Sequence, residues 1–211
     1  MIQLWHCADA RSFRVLWALE ELALHYELRL LPFPPRVRSP DYLAINPLGT
    51  VPAFRDGGTF MTESVAIVQY LVERYRPNDL NVPEGDPAHG AWLNWLYFGE
   101  ATLTFPVTLV LNYRCFAPGR SDVAADDCAQ YFLERLPHVD RALQTSPWLC
   151  AGRFSSADIS VGYALLLADF LGLSKDFPPA VAAYWERLNA RPAFQAAKRL
   201  QRTSLSDLFA R

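Results

Sequence analysis

The chain has few cysteines, no excess of either charge and no long apolar run. Its four cysteines form no Cys-x-x-Cys pair and no Cys/His ligand spacing, so neither a zinc site nor a disulfide scaffold is indicated. A net charge of −2 offers no general attraction to nucleic acid. No segment approaches the ~20 apolar residues of a membrane span, and no signal-peptide pattern opens the chain. We therefore expect no metal, no nucleic-acid partner, no membrane attachment and a cytoplasmic location.

The composition of the chain and a proline-rich break within it predict two domains. With 211 residues, 51% of them hydrophobic, it can bury one large or two small cores. Residues 76–87 (RPNDLNVPEGDP) carry three prolines and cannot continue a helix. We expect a first domain over 1–76, a linker over 77–87 and a second domain over 88–211. The second domain shows no strand-like alternation, and helices are predicted near 88–114, 122–144, 155–172, 178–190 and 192–202.

The first domain reads as an α/β unit. A short strand ends near Trp5, and Ser12 precedes a helical apolar stripe. A second strand follows over 26–31. Residues 56–58 (DGG) form a hairpin turn between two further short strands, and a helix begins near Ser64. The order is strand, helix, strand, helix, strand, strand, helix, which fits a βαβ crossover that leads into a terminal hairpin.

Two segments of this domain suit an extended γ-glutamyl peptide. In residues 46–52 (NPLGTVP), Pro52 lacks an N–H and leaves neighbouring backbone groups available for pairing with a peptide. Glu63 and Ser64 lie at a helix start, where exposed N–H groups favour a carboxylate and an acidic side chain can hold an ammonium group. An ordinary helix cap is the alternative interpretation of this pair.

A third segment, residues 154–158 (FSSAD), has the pattern of a helix start and no ligand chemistry. Ser155 as N-cap and Asp158 three residues later predict a reciprocal capping box, with Phe154 as a hydrophobic staple against Ile159. Asp158 is therefore expected to support folding rather than catalysis.

These segments resemble the glutathione S-transferase family over nearly the full chain. WHCADARSFRVLWALEEL is similar to the first strand and helix of the family, NPLGTVPAF to its cis-proline loop, TES to its γ-glutamyl site and FSSADIS to its late capping box. The resemblance implies a thioredoxin-like N-terminal domain, an all-helical C-terminal domain, glutathione as co-substrate and a homodimer. It implies glutathione binding at Thr50, Val51, Pro52, Glu63 and Ser64.

The chain departs from the family at Thr50, where many relatives carry a basic residue. Arg36 and Arg38, in the loop over 32–40, are expected to be solvated, in which case the glycyl carboxylate is bound more weakly. The alternative is that one of the two arginines reaches that carboxylate.

The catalytic group is predicted at the start of the first helix. A thiol with a pKa near ~8.5 needs about 2.7 kcal/mol of preferential anion stabilisation to lower that pKa by two units, and a hydroxyl donor can supply most of it. Serine-type relatives carry their hydroxyl where this chain has Ala10, and cysteine-type relatives carry their thiol at Arg11. Ser12 is the nearest hydroxyl, with Arg11 as a cationic supplement. Ser12 as a mere N-cap is the alternative.

His6 and Cys7 follow one another at the end of the first strand. Adjacent strand residues point to opposite faces, so we do not expect the two to act on one atom.

The second domain is expected to supply the electrophile site. Phe105, Leu109 and Tyr113 are spaced by four and would line one face of a helix as a wall for a hydrophobic substrate. The sequence thus predicts a glutathione transferase that attacks hydrophobic electrophiles. The alternatives are a glutathione-dependent isomerase, dehalogenase or peroxidase, and a non-catalytic glutathione-binding protein.

Overall fold

The computed structural model describes residues 1–203. They form two compact units, one of residues 1–78 together with residues 191–203, and one of residues 79–190. This division differs from the expected domains, because the C-terminal segment belongs with the first unit rather than with the second.

The first unit is built on a four-stranded mixed sheet with the order β2-β1-β3-β4. Strands β1 and β2 are parallel, as a crossover through a helix requires, whereas β3 and β4 form an antiparallel hairpin. Gly57, at φ 58°, makes the turn of that hairpin. The strands are β1 (Ile2–His6), β2 (Tyr26–Leu30), β3 (Ala53–Asp56) and β4 (Thr59–Met61).

The first unit also contains helices, of which the first three follow the predicted order. They are α1 (Ser12–Glu21), α2 (Pro35–Arg38) with the 3-10 turn Pro40–Ala44 after it, α3 (Ser64–Arg74) and, at the C-terminal end, α10 (Pro192–Leu200).

Helix α10 packs along α1. The Phe194 ring lies edge-on to Phe13 and Trp17, with centroids 5.3 Å and 4.9 Å apart. Next to this contact, Arg191 makes two charge-assisted hydrogen bonds to the Glu21 carboxylate, at 2.6 and 2.8 Å.

The second unit is helical, as predicted. Its helices are α4 (His89–Phe98), α5 (Phe105–Leu111), α6 (Asp122–Leu133), α7 (Leu136–Leu143), α8 (Ser156–Phe170) and α9 (Pro179–Asn189), with a 3-10 turn at Ser174–Asp176.

Two details of the helical unit differ from the sequence prediction. The helix expected over 122–144 is divided into α6 and α7, because Pro137 has no N–H to donate to the carbonyl of Leu133. The helix expected over 88–114 runs further, and π-helical turns at Gly99–Thr104 and Asn112–Phe116 interrupt its α-helical hydrogen bonding.

Gly99 sits where the backbone of the long helix approaches α8. A Cβ at this position would lie 2.6 Å from the carbonyl carbon of Ser160, which is closer than any real Cβ contact. The Ser160 hydroxyl donates to the Leu96 carbonyl at 2.6 Å in the same contact. Glycine is therefore needed at position 99 for packing.

Candidate functional site

The strand register brings three loop segments to one end of the sheet. Trp5, near the end of β1, lies opposite Ala53, the first residue of β3. Phe54 lies opposite Met61, the last residue of β4. The loop after β1, the loop before β3 and the start of α3 therefore meet at this end.

The loop over 46–52 is held by a buried asparagine. Asn46 Nδ2 donates to the Thr50 carbonyl at 2.8 Å, and Tyr42 Oη donates to the same carbonyl at 2.7 Å. Gly49 has φ 62°, and a Cβ there would also meet the Arg36 side chain. These contacts fix the conformation of the loop, while the Thr50 side chain stays at its exposed surface.

Val51 and Pro52 complete this loop and precede β3. The Val51–Pro52 peptide bond is cis. The Val51 side chain packs on a buried cluster that includes Trp5 and Tyr42. Within residues 1–203 the N–H and C=O groups of Val51 have no protein hydrogen-bond partner. They are therefore available to an extended ligand that pairs with the backbone.

Arg36 lies against the same loop. Its Nη2 donates to the Leu48 carbonyl at 2.7 Å, and the residue as a whole is exposed. Of the two arginines considered from the sequence, Arg36 thus bonds to the loop through its guanidinium.

The start of α3 presents an acidic side chain and a buried hydroxyl. Glu63 is the N-cap residue in an extended conformation, but its carboxylate makes no capping hydrogen bond and is exposed. Ser64 is the first helical residue and is 3% exposed. Its Oγ accepts a hydrogen bond from Arg14 Nη1 at 3.1 Å. Glu63 thus occupies the cap position, as the alternative interpretation has it, but its side chain makes no capping hydrogen bond.

Arg14 connects the first turns of α1 and α3. It is completely buried, and its bond to Ser64 spans from one helix to the other. Sequence reasoning missed Arg14. Its position within the apolar stripe of α1 was the signal that could have identified it as a site residue.

Ser12 is the first residue of α1, and Arg11 takes the N-cap position without a side-chain capping bond. The alternative in which Ser12 is the N-cap is therefore wrong. Ser12 is fully buried, and its Oγ lies 2.8 Å from His6 Nδ1. The proposed part of Ser12 and Arg11 in thiol activation stays a prediction.

His6 belongs to a buried polar network that reaches α10. Its Nε2 lies 3.2 Å from Gln201 Oε1, and Gln201 also bonds to both the backbone and the side chain of Asp9. Burial lowers the pKa of His6 to about 4, so the imidazole is neutral near pH 7. Sequence reasoning missed Gln201, because nothing local to it indicates a partner at the start of the chain.

Cys7 points to a different environment from that of His6. Its Sγ lies 3.9 Å from the Pro32 carbonyl, and burial raises the pKa of the thiol to about 12. A thiol with that pKa is protonated near pH 7, which is the opposite of what a nucleophilic cysteine needs.

The three residues expected to form the substrate wall lie in the second unit. Phe105 and Leu109 share a face of α5, and Tyr113 follows in the adjoining π-helical turn. Phe105 is 59% exposed, and the other two are half-buried. An apolar ligand would therefore have ring and aliphatic surface to cover here.

Asp158 makes the predicted capping box at the start of α8. Its Oδ2 accepts from the Ser155 N–H at 2.8 Å, and its Oδ1 accepts from Tyr184 Oη at 2.8 Å. Asp158 is completely buried, which agrees with a structural role.

Residues 1–203 contain neither a candidate metal cluster nor a candidate membrane span. This part of the chain contains no group of three or more His, Cys, Asp or Glu side chains placed to hold a metal ion. None of its helices is both long and apolar enough to cross a membrane.

Comparison with known proteins supports the family resemblance. Residues 7–79 match the family model "Glutathione S-transferase, N-terminal domain". Glutathione S-transferase GstA of Escherichia coli O157:H7 is 30% identical over 74% of this chain and 76% of its own. The probable glutathione S-transferase GSTF2 of Oryza sativa subsp. japonica is 31% identical over 90% of this chain and 91% of its own.

Solved structures of glutathione S-transferases are also similar to this chain. The glutathione S-transferase from a sphingomonad, determined in complex with glutathione, has a TM-score of 0.84 at 27% identity and covers 96% of this chain and all (100%) of that one. A bacterial GST, BphK, determined as a ternary complex, has a TM-score of 0.83 at 29% identity, covering 95% of this chain and 100% of that one.

The fold is thus a thioredoxin-like N-terminal domain with a helical C-terminal domain, as expected from the sequence. The chain belongs to the glutathione S-transferase family, and its activity is of the glutathione S-transferase type.

Proposed function

We propose that the protein binds glutathione at the sheet end described above and activates its thiol as a thiolate, whose sulfur attacks a hydrophobic electrophile and joins the two molecules in a conjugate. The observation that carries the proposal is the placement of the unpaired Val51 backbone and the exposed Glu63 carboxylate at one end of the sheet. The γ-glutamyl group of glutathione has an ammonium and a carboxylate, and the start of α3 offers a partner to each.

Each of the residues predicted to bind glutathione has a proposed part in binding the peptide. Val51 pairs with the glutathione backbone, and Pro52 keeps that edge free of a competing donor. Ser64 and the first N–H groups of α3 receive the γ-glutamyl carboxylate, while Glu63 pairs with the ammonium. Thr50 lies where the glycyl end of the peptide would be.

Arg36 is the proposed partner of the glycyl carboxylate. Its bond to the Leu48 carbonyl already holds the guanidinium at the loop, and a guanidinium has further N–H donors for a carboxylate. The absence of a basic residue at Thr50 is compensated in this way.

The glutathione sulfur is proposed to lie at the first turn of α1, next to Arg11 and Ser12. The turn supplies a helix N-terminus, and Arg11 supplies a cationic side chain, both of which favour a thiolate. To donate a hydrogen bond to the glutathione sulfur, the Ser12 hydroxyl would have to rotate away from His6. Ser12 can instead fix the position of the first turn of α1 while it keeps its bond to His6.

The electrophile is proposed to be a hydrophobic molecule held by Phe105, Leu109 and Tyr113. Aromatic and aliphatic walls of this kind select by shape and exclude water, which favours attack by a thiolate. Such an activity would suit the detoxification of apolar compounds, and we propose that it takes place in the cytoplasm.

A non-catalytic glutathione-binding protein is the second candidate. The observation in its favour is the full burial of Ser12, in a chain that has Ala10 and Arg11 where relatives carry a hydroxyl or a thiol. An isomerase is disfavoured, because the Ser-Ser-Cys run of maleylacetoacetate isomerases is replaced here by residues 9–11 (DAR).

Thiol consumption assays with an aryl halide, an isothiocyanate, a peroxide and a disulfide separate these functions. We expect turnover of the aryl halide or the isothiocyanate above the uncatalysed rate. Turnover of the peroxide or disulfide alone would contradict the transferase. Tight glutathione binding without any turnover would instead establish the non-catalytic protein.

A further inference from the structure

The buried polar network before and at the start of α1 contains His6, Asp9, Ser12 and Gln201. Only one assignment of hydrogen-bond donors and acceptors gives each of these contacts a donor and an acceptor. Gln201 accepts the Asp9 N–H with Oε1 at 3.1 Å and donates from Nε2 to Asp9 Oδ1 at 2.7 Å. A flipped amide would put donor against donor at the first contact and acceptor against acceptor at the second. The orientation of the Gln201 side chain is therefore fixed by Asp9.

The orientation of Gln201 in turn determines the tautomer of His6. Gln201 Oε1 faces His6 Nε2 at 3.2 Å, and an amide oxygen can only accept, so Nε2 must carry the proton. His6 Nδ1 is then the acceptor, and the partner 2.8 Å away is the Ser12 hydroxyl. The single proton of that hydroxyl consequently points to His6 and not toward a ligand.

Helix α10 brings these groups to the loop between β1 and α1. Lys198, one turn before Gln201, donates to Asp9 Oδ1 at 2.7 Å. Asp9 has φ 50°, an uncommon conformation for a residue other than glycine, and its backbone N–H and side chain are both held from α10. The loop that leads to Arg11 and Ser12 therefore depends on the C-terminal helix.

We infer that Gln201 is a positioning residue for thiol activation: it holds His6 as the Nε2–H tautomer, commits the Ser12 hydroxyl to His6, and fixes the first turn of α1. Ser12 then acts through the position of that turn. The effect on catalysis rests on the proposed function, whereas the tautomer does not.

The first test is the tautomer of His6 in the wild-type protein. Long-range 1H–15N NMR of the imidazoles, with His6 assigned by its absence in His6→Gln, should show a neutral ring protonated at Nε2. A ring protonated at Nδ1 would overturn the inference. This result stands even if the protein neither binds nor turns over glutathione, in which case the proposed function alone fails.

The second test uses a variant of Gln201. Gln201→Met removes both polar groups at equal length and should abolish the single-tautomer spectrum of His6. Arg199→Ala, at an exposed position near the end of α10 and two residues before Gln201, is the control and should change nothing.

Catalysis should follow the tautomer. Misplacement of a reacting group by 1 Å can cost 10²-fold, so we expect Gln201→Met to lower kcat by about ten-fold or more with the dissociation constant of glutathione nearly unchanged. The ultraviolet titration of the bound thiolate should move to higher pH in Gln201→Met and also in Ser12→Ala. A shift in Ser12→Ala with none in Gln201→Met would show direct donation by Ser12 and overturn the positioning role.

Discussion

At the scale of single residues, His6 connects protonation to the stability of the first unit. Burial is the main reason that the pKa of His6 falls from 6.5 to about 4 in the folded chain. Between these values the unfolded chain binds a proton that the folded chain does not, so the free energy of unfolding decreases as the pH falls from 6.5 to 4.

His6→Gln should remove this dependence, because an amide does not titrate. The wild type should be the more stable protein at pH 7, and its advantage should shrink by up to about 3 kcal/mol as the pH falls to 4. Urea unfolding at a series of pH values measures the difference. Parallel stability curves for the two proteins would contradict a buried neutral histidine.

The residues of the site differ in how far the sequence could predict them. Glu63 and Ser64 are adjacent at a helix start that the local sequence pattern predicts, so their position could be predicted. Ser12 was expected at the helix start as well, but its burial and its bond to His6 depend on tertiary packing. Arg14 and Gln201 act through partners distant in sequence, which periodicity cannot reveal.

At the scale of elements, helix α8 depends on its capping box. Asp158 receives hydrogen bonds from Ser155, from Tyr184 and from the Leu149 N–H, the last at 3.1 Å, and all of this is buried. In Asp158→Asn one acceptor oxygen becomes an N–H group, which then faces another donor. Leaving a buried donor unpaired costs about 1 to 3 kcal/mol, so we expect that loss in the free energy of unfolding.

The control for this variant is Asp122→Asn, in the first turn of α6, where the side chain is exposed. It should change stability by no more than about 0.5 kcal/mol. Glutathione affinity should be unchanged in both variants. A loss of affinity in Asp158→Asn with full stability would contradict the structural role of the carboxyl group.

The helices also show which interruptions can be predicted from the sequence. Pro137 was visible in the sequence and accounts for the break between α6 and α7, although the apolar periodicity on both sides favoured one helix. The π-helical turn that begins at Gly99 was not readable, because it keeps the apolar spacing of a helix and depends on packing against Ser160.

At the scale of the whole molecule, the order of strands and helices in the first unit followed from local patterns, but the return of α10 to that unit did not. The contact between Arg191 and Glu21 joins the two ends of the chain and has no local signal. Long-range pairing of this kind can be read from coordinates but not from periodicity.

The family resemblance leads us to propose a homodimer. Light scattering at micromolar concentration should give twice the 23.9 kDa of one chain. An interface of more than roughly 1,000 Å² would be needed for such a stable pair. A monomer mass at that concentration would contradict the proposal.

The measurement that tests the central proposal most directly is calorimetry of glutathione binding to Glu63→Ala and Ser64→Ala. Loss of a charge-assisted contact costs about 1.5 to 3 kcal/mol, so each variant should bind ten-fold to more than a hundred-fold more weakly than the wild type. Glu73→Ala, which removes an equal charge from the other end of α3, should bind normally. Unchanged dissociation constants in both Glu63→Ala and Ser64→Ala would show that glutathione does not bind at this end of the sheet.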